Sequence, residues 1–303
     1  MRILNFGSLN FDKVYDVAHF ASGGETILSR GYGEFLGGKG LNQSVALARA
    51  GAEVYHAGAI GADGDALRSA LEKSGVDTRY LRQVDTVSGH AIIQRSEGQN
   101  CIIVCGGANQ CVTREQIRDT LADFGPEDWL LLQNEISNVP FAIEEAKRMG
   151  MKVAFNASPI TDELLSYPLD QVDCFIINEV EGKALAQMEG EDDLQILDAL
   201  SVRFPDAIIV LTVGEKGVLY REGDMRLSHN SYPVHVVDTT AAGDTFCGYF
   251  LAGVSRKLSQ EKTLEMASKA SAIAVSRYGA EPSIPRWNEV MDFHPGEALC
   301  IQK

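Results

Sequence analysis

The 303-residue chain has no apolar run of 18 residues and no basic segment leading into an apolar stretch of the kind that begins a secretory signal. We therefore expect no membrane span, no signal peptide and a cytoplasmic protein. Its six histidines form no H-E-x-x-H pair and its six cysteines no C-x-x-C pair, which excludes the commonest zinc sites. Free, buried thiols are expected instead. Internal repeats, Pro-rich linkers and low-complexity tracts are also absent.

Basic residues are scarce: the chain has 27 of them and 42 acidic residues, and its formal net charge is −15. Such a surface repels nucleic acids, so we expect no nucleic-acid partner. The hydrophobic content of 45% and the charged content of 23% are ordinary for a globular protein. A chain of this length can bury a large core, and we expect residues 1–303 to form a single domain.

Apolar strand patterns alternate with helical patterns along most of the chain. The clearest predicted strands are 54–59, 129–133, 152–156, 174–177 and 207–212, and the clearest predicted helices are 66–73, 141–149 and 179–187. This alternation predicts an α/β fold in which helices cover both faces of a mostly parallel sheet. Ligands of such sheets bind at the carboxyl ends of the strands, so we expect a shared cleft there. Polar residues at or just after predicted strand ends are Asn134, Glu135, Asn156, Asn178 and Thr212.

Two segments depart from this alternation. Residues 91–95 and 101–105 have strand patterns joined by a turn at 96–100, which predicts a β-hairpin. Residues 11–32 hold short apolar runs mixed with glycine. An exposed antiparallel edge without any role is the structural alternative to a functional element here.

Residues 237–246 (VDTTAAGDTF) are the most informative stretch of the chain. Apolar residues at 232–237 predict a strand before it, and apolar residues at helical spacing over 246–254 predict a helix after it. The stretch is therefore interpreted as strand, tight turn and helix, with Asp244 in the first helical turn.

Small residues surround this turn, and their backbone N–H groups are expected to be free. The amides of Ala241, Ala242 and Gly243 would cluster at the positive end of the helix dipole, where an anion can approach closely. A carboxylate beside them, Asp244, could take a proton while the amides hold developing negative charge. This combination indicates phosphoryl transfer. A helix cap is the structural alternative for Asp244.

A second glycine-rich segment, residues 37–43 (GGKGLNQ), is interpreted as a loop that precedes a helical pattern. Residues 33–39 match the first seven positions of a P-loop, but Gly40 stands where that loop needs a Ser or Thr hydroxyl for Mg²⁺. A P-loop is therefore excluded. Glycines around a lysine still bring backbone and a cation close to a polar ligand, and Asn42 adds an amide with two donors and an acceptor.

Together the two segments resemble the signatures of the PfkB family of carbohydrate kinases, and the resemblance runs nearly the whole chain. Further motifs that match in order are 7–12 (GSLNFD), 24–26 (GET), 130–135 (LLLQNE), 178–181 (NEVE), 212–217 (TVGEKG) and 279–285 (GAEPSIP). The resemblance implies a three-layer, ribokinase-like α/β sandwich with a mostly parallel central sheet. It also implies a small β-sheet lid, built from segments near 9–35 and 88–107, that forms a homodimer interface.

The resemblance further implies roles for individual residues. Catalysis is assigned to Asp244 as the base, with Ala241, Ala242 and Gly243 as the anion hole. Sugar binding is assigned to Asn10, Asp12, Gly38, Lys39, Asn42, Glu135 and Asp244. Nucleotide binding is assigned to Asn178, Glu181, Thr212, Gly214, Lys216, Gly217, Gly243 and Ser268, with Glu181 holding Mg²⁺ through water. A K⁺ site is assigned to Asp238, Thr240, Ala274, Arg277, Gly279 and Ser283.

Several of these residues have structural alternatives. Asn10 also suits a turn, and Glu135 also suits an exposed surface. Asn178 and Glu181 have the spacing of a helix N-cap with its capping-box carboxylate. The chain departs from the family pattern at Leu41, where alanine is usual beside the sugar.

The expected function is ATP-dependent phosphorylation of the primary hydroxyl of a small sugar, with D-ribose giving ribose 5-phosphate. Kinases for fructose, a keto-deoxy sugar acid or a nucleoside remain alternatives. A sugar acid would want additional arginines, and Arg30, Arg82 and Arg95 are available. A non-catalytic sugar-binding regulator on the same fold is an alternative of another class.

Overall fold

The computed structural model describes residues 1–97, 99–190 and 192–294. The strands are β1 (Ile3–Phe6), β2 (Asn10–Asp16), β3 (Gly31–Gly37), β4 (Val54–Ile60), β5 (Asp77–Gln83), β6 (Gly89–Ser96), β7 (Gln99–Cys105), β8 (Trp129–Gln133), β9 (Lys152–Asn156), β10 (Cys174–Asn178), β11 (Ile208–Thr212), β12 (Val218–Glu222) and β13 (Met225–His229). The α-helices are α1 (Lys39–Arg49), α2 (Asp65–Lys73), α3 (Arg114–Leu121), α4 (Val139–Arg148), α5 (Glu179–Ala186), α6 (Asp193–Arg203), α7 (Ala242–Ser255), α8 (Gln260–Val275) and α9 (Trp287–Met291).

A nine-stranded sheet with the order β13-β12-β11-β10-β9-β8-β1-β4-β5 forms the centre of the molecule. Its strands are parallel from β11 to β5, and β12 and β13 continue it with antiparallel pairing beyond β11, with β13 at the edge. Strands such as β8 are buried along their whole length and read as continuous apolar runs, as expected for a sheet covered on both faces. The prediction of a mostly parallel sheet is confirmed.

Helices cover both faces of this sheet and enclose two cores. One core includes Leu41 of α1, Phe250 of α7 and Leu264 of α8. The other includes Ile143 of α4 and Leu197 of α6. The molecule is therefore the predicted three-layer α/β sandwich. Among the described residues, no helix combines the length and the apolar character that a bilayer-crossing helix needs.

A separate four-stranded sheet, called the small sheet below, has the order β3-β2-β6-β7. The predicted hairpin is present as the antiparallel pair β6–β7, while β2 and β6 run parallel. Strand β2 begins at Asn10, four residues after β1 ends at Phe6. The small sheet therefore starts at the carboxyl end of a central strand of the large sheet, where ligands of α/β sheets bind.

Two local predictions are wrong. Residues 232–237 form no strand: the amides of Val237 and Asp238 donate instead to the carbonyl of Val275 at the end of α8, at 2.8 and 3.2 Å. Tyr232 and Val234 pack on the core without a strand partner, and that packing produced the alternating pattern. Residues 39–43 belong to the first turns of α1 rather than to a loop.

The cysteines also differ from expectation. Cys174 and Cys247 are buried, but Cys101, Cys105 and Cys111 are exposed. All five have free thiols, and Cys300 lies outside the described residues. The exposed thiols Cys101 and Cys105 lie on β7, an edge strand whose residues all face solvent.

Candidate active site

The amino end of α7 forms a concave turn of backbone amides. Ala241 precedes the helix with a left-handed backbone (φ 59°), and Asp244 lies in the first turn, as predicted. A left-handed residue next to helical ones directs successive N–H groups to one side, which makes an anion-binding concavity. The amide of Ala242 already donates to the carbonyl of Thr239 at 3.3 Å, whereas the amides of Ala241 and Gly243 have no acceptor among the described residues. Open space lies beside Gly243, so a phosphate-sized anion has access.

A cavity of about 220 Å³ opens in front of this turn. It brings predicted catalytic and nucleotide residues together with Lys39. Its lining consists of Lys39, Asn156, Ile176, Ile177, Asn178, Glu181, Thr212, Thr239, Ala241, Ala242, Gly243 and Asp244. Strand ends β9, β10 and β11 contribute to one wall, as expected for the carboxyl edge of a parallel sheet.

The carboxylate of Asp244 is buried and held by two amides from α1. Nδ2 of Asn42 donates to Oδ2 at 2.9 Å, and Nε2 of Gln43 donates to Oδ1 at 2.9 Å. Oδ1 of Asn42 is buried and has no partner among the described residues. Since a buried acceptor without a donor is costly, this oxygen is suited to accept a hydrogen bond from a ligand hydroxyl.

Lys39 lies among carboxylates at the start of α1. Burial alone lowers the pKa of its ammonium, but the nearby carboxylates outweigh burial and that pKa is raised. These carboxylates belong to Asp244, Glu135 and Glu181. The ammonium therefore stays charged and offsets a site that would otherwise be strongly negative.

Glu135 follows β8 and is hydrogen-bonded to the turn after β1 and to the start of α1. Its Oε2 accepts a hydrogen bond from the hydroxyl of Ser8 and another from the backbone amide of Lys39 at 3.2 Å. Burial raises the pKa of Glu135, while the charge of Lys39 and the Ser8 hydrogen bond act in the opposite direction. Glu135 is therefore not a solvent-exposed surface charge, which was the structural alternative.

Asn10 and Asp12 enter this region from β2. Burial, together with the charges of Glu135 and Asp244, raises the pKa of Asp12 to about 6. Asn10 is oriented by Asn109, whose Nδ2 donates to Oδ1 of Asn10 at 2.8 Å. Asn109 lies in a short 3₁₀ turn, and no sequence pattern connects it with residue 10, so it was not predicted.

Asn178 and Glu181 form the capping box of α5. Oδ1 of Asn178 accepts from the Glu181 amide at 2.9 Å, and Oε2 of Glu181 accepts from the Asn178 amide at 3.0 Å. The helix N-cap that was the structural alternative for these two residues is thus present. Both residues also line the cavity, so capping does not remove them from the site.

Four predicted nucleotide residues lie away from the cavity lining. Gly214 and Lys216 belong to a short 3₁₀ turn after β11, and Gly217 follows it with φ 105°. The Nζ of Lys216 is 2.6 Å from a carboxylate oxygen of Asp193. Ser268 is buried on α8.

Three of the predicted K⁺ residues, Asp238, Thr240 and Gly279, are joined by hydrogen bonds. The carboxylate of Asp238 accepts from the amide and hydroxyl of Thr240 at 2.9 and 2.6 Å, and from the amide of Gly279 at 3.0 Å. Burial raises the pKa of Asp238, but these hydrogen bonds outweigh it, and the pKa is lowered. Arg277 is directed to Glu289 at 2.6 Å. The hydroxyl of Ser283 donates to the carbonyl of Ala280 at 2.8 Å.

An ionised carboxylate beside backbone carbonyls is the type of ligand set that hard cations take. The carbonyl of Ala274 already accepts from the Arg277 amide at 3.1 Å and keeps a second lone pair. The predicted residues therefore supply oxygen atoms of the kind that a monovalent cation takes. Within the described ranges, no three or more His, Cys, Asp or Glu side chains group together as a metal site.

The chain is matched over residues 2–287 by the pfkB family carbohydrate kinase model, and it belongs to that family. It is 36% identical over 299 residues to a ribokinase of Haemophilus influenzae, covering 95% of this chain and 96% of that protein. It is 30% identical to a deoxyribokinase of Salmonella typhi, covering 97% of this chain and 100% of that protein. The fold is similar to a solved structure of Arabidopsis thaliana ribokinase complexed with ribose and ATP, with a TM-score of 0.83, 29% identity and coverage of 95% and 97%.

Proposed function

We propose that this chain transfers the γ-phosphoryl group of ATP to the primary hydroxyl O5 of D-ribose and so produces ribose 5-phosphate. One observation carries the proposal: the carboxylate of Asp244 lies directly beside unpaired amides at the amino end of α7. Base and anion site are thus supplied by one turn, as phosphoryl transfer requires. Similarity to ribokinases, including one solved with ribose and ATP, supports the choice of substrates.

In this mechanism Asp244 accepts the proton of the attacking hydroxyl. The amides of Ala241 and Gly243 hold the oxygens of the transferring phosphoryl group as their charge develops. The ammonium of Lys39, which lines the same cavity, supplies positive charge. Glu181 would hold Mg²⁺ through water, since its buried carboxylate lines the same cavity. Bound there, Mg²⁺ neutralises phosphate charge.

The sugar is proposed to lie between β2, the end of β8 and the start of α1. The carboxylates of Asp12 and Glu135 and the unpartnered oxygen of Asn42 accept hydrogen bonds from its hydroxyls, and Asn10 and Lys39 complete the contacts. This arrangement favours a neutral polyol over a sugar acid. Of the arginines that a sugar acid could use, Arg82 and Arg95 are already paired with Asp119 and Asp16.

A coupled ADP-release assay tests the proposal, with ATP, Mg²⁺ and K⁺ and a panel of ribose, 2-deoxyribose, fructose, sugar acids and nucleosides. We expect kcat/KM for ribose to exceed that for 2-deoxyribose by at least about tenfold, because hydrogen-bonding sites reject analogues that lack the hydroxyl. Equal values for the two pentoses would contradict the proposed sugar contacts. Ribose binding by calorimetry without turnover on any sugar would indicate the non-catalytic regulator.

A K⁺ requirement is proposed at Asp238, Thr240, Ala274, Arg277, Gly279 and Ser283, with Arg277 contributing through its main chain. The carboxylate of Asp238 holds Thr240, which precedes the amide turn by one residue, and a bound cation there would order that turn. We therefore expect kcat with ribose to fall when Na⁺ replaces K⁺ throughout. A kcat that is the same in both salts would contradict this assignment.

We also propose that the small sheet is the lid over the sugar and the interface of a homodimer. Its edge strand β7 exposes three consecutive apolar residues, Ile102, Ile103 and Val104, at 53%, 60% and 62%. Large exposed apolar patches mark association surfaces. Ile103→Lys is expected to convert a dimer to a monomer in light scattering, whereas Val202→Lys on the exposed side of α6 is the matched control. A monomeric parent protein, or a dimeric Ile103→Lys variant, would contradict this interface.

Cytoplasmic localisation is proposed on the basis of the thiols. Exposed free cysteines persist in reducing compartments, and three of the five described cysteines are of this kind. We expect the protein to be recovered from cells with these thiols reduced, as shown by alkylation before lysis. Recovery as disulfide-linked species would argue against a cytoplasmic location.

A further inference from the structure

Gln43 is a buried residue to which the proposed mechanism gives no role. Its side chain is 0% exposed, and its Nε2 donates to Oδ1 of Asp244 at 2.9 Å. The preceding residue, Asn42, donates to the other oxygen of the same carboxylate. Two consecutive residues of α1 therefore fix both oxygens of Asp244. Each oxygen keeps a lone pair for a ligand hydroxyl, because a carboxylate can accept about four hydrogen bonds.

The orientation of the Gln43 amide is set by a chain of buried amides. Nδ2 of Asn5 donates to the carbonyl of Gly40 at 2.8 Å, and that carbonyl can only accept. Oδ1 of Asn5 must then accept, and it does so from Nε2 of Gln133 at 2.9 Å. The same Nε2 donates to Oε1 of Gln43 at 2.6 Å, which leaves the NH₂ of Gln43 directed at Asp244. Asn5, Gln133 and Gln43 are all at most 1% exposed.

Asn156 supports the same orientation from the sheet. Its Nδ2 donates to the carbonyl of Ile176 at 2.8 Å, so its Oδ1 faces Gln43 and lies 3.2 Å from Nε2. A rotated Gln43 amide would place its oxygen against two acceptor oxygens and its NH₂ against that of Gln133. Since such contacts are strongly unfavourable in a buried site, one orientation is selected.

The distance between α1 and α7 is fixed by a glycine one helical turn after Asp244. A Cβ at Gly248 would lie 2.4 Å from Cβ of Ala46 and 3.0 Å from the carbonyl of Gln43. The helices therefore approach with backbone close to backbone. This approach lets a glutamine on α1 reach the carboxylate on α7 without strain.

We propose that Gln43 is a positioning residue for the base Asp244, with Gln133 and Asn5 setting the direction of its amide; this inference rests on the proposed function. A carboxylate held at both oxygens cannot rotate away from the attacking hydroxyl. Small misplacements of a reacting group cost about 10²-fold in rate, so we expect the loss of one amide donor to lower kcat.

The test is Gln43→Met, which keeps the volume and removes the donor. We expect kcat to fall by about 10–100-fold, with KM for ribose and for ATP essentially unchanged. In an Asp244→Asn background the same substitution is expected to have almost no effect on kcat, because the group that it positions is gone. Losses that multiply in the double variant would overturn the proposal.

Gln116→Met is the matched control. Gln116 on α3 is equally buried, and its Nε2 donates to the carbonyl of Gly58 at 2.7 Å, away from Asp244. We expect this variant to lose stability to urea but to keep kcat. A similar fall in kcat for both glutamine variants would show a general packing effect and overturn the proposal.

Two outcomes separate this inference from the proposed function. If Asp244→Asn keeps wild-type kcat, the proposed base is wrong and the positioning role falls with it. If Asp244→Asn is inactive but Gln43→Met is fully active, only the positioning role is wrong.

Should Gln43→Met fail to fold, Gln133→Met gives the same test, since it removes the donor that orients Gln43. A kcat loss that vanishes in the Asp244→Asn background supports the proposal, and an unchanged kcat overturns it.

Discussion

Asp244→Asn is expected to lower kcat by about 10²–10⁴-fold, because a neutral amide cannot accept the hydroxyl proton. The substitution keeps the shape of the side chain and removes its charge. One of its new N–H groups would face an amide donor, either Asn42 or Gln43, which adds a modest local conflict. Nucleotide affinity should change much less than kcat, since the backbone amides of the turn remain. Steady-state kinetics with ribose and ATP, together with calorimetric titration of ADP, measures both quantities.

The matched control for this variant is Asp128→Asn. Asp128 is also buried and paired, in this case with Arg2 at 2.5 Å, at the amino ends of β1 and β8 and so away from the strand ends that line the cavity. It should lose stability without losing kcat. An Asp244→Asn enzyme that retains more than a tenth of the wild-type kcat, with nucleotide binding intact, would remove Asp244 from the role of base.

Lys39→Met is expected to have the second large effect. Lys39 faces the carboxylates of Asp244, Glu135 and Glu181, and ATP brings further negative charge to a protein whose net charge is already −15. Removing one preorganised group that stabilises developing charge typically costs about 10²–10³-fold in rate. We therefore expect kcat/KM for ATP to fall by at least about 100-fold.

Two further variants make this prediction specific. Lys39→Arg keeps the charge and should retain more activity than Lys39→Met, although its planar head group differs in shape. Lys147→Met removes a half-buried lysine that pairs with Asp173 at 2.6 Å, and it should leave kcat/KM unchanged. Wild-type kcat/KM in Lys39→Met would show that the helix termini alone provide enough positive charge.

Local patterns predicted the order of strands and helices well. The strands 129–133 and 152–156 have the predicted bounds, because their apolar runs are buried on both faces and end at polar residues. The strand predicted at 232–237 is absent. Its alternation arises from packing on the core, and no neighbouring backbone completes a ladder. Whether a segment with alternating apolar residues forms a strand therefore depends on a neighbouring strand that is distant in sequence.

The glycine-rich segment shows a similar limit. Glycine has low helix propensity, so the sequence of residues 37–43 predicts a loop. In the structure α1 begins at Lys39, and a Cβ at Gly40 would lie 2.4 Å from the amide nitrogen of Ser8. Gly40 is thus needed for a close helix–backbone contact, and its place within α1 is decided by packing against the turn after β1.

The sequence by itself determined the α/β order, the amide turn with its carboxylate, and the motifs that carry the family resemblance, because the residues within each of these features are near one another in the chain. Tertiary structure alone decided which groups meet Asp244. Its partners Asn42 and Gln43 lie about 200 positions earlier and reach it through the contact between α1 and α7. Asn109 likewise reaches Asn10 across 99 residues. Hydrogen bonds between distant, irregularly spaced polar residues leave no periodic pattern, so only the packed fold brings these groups together.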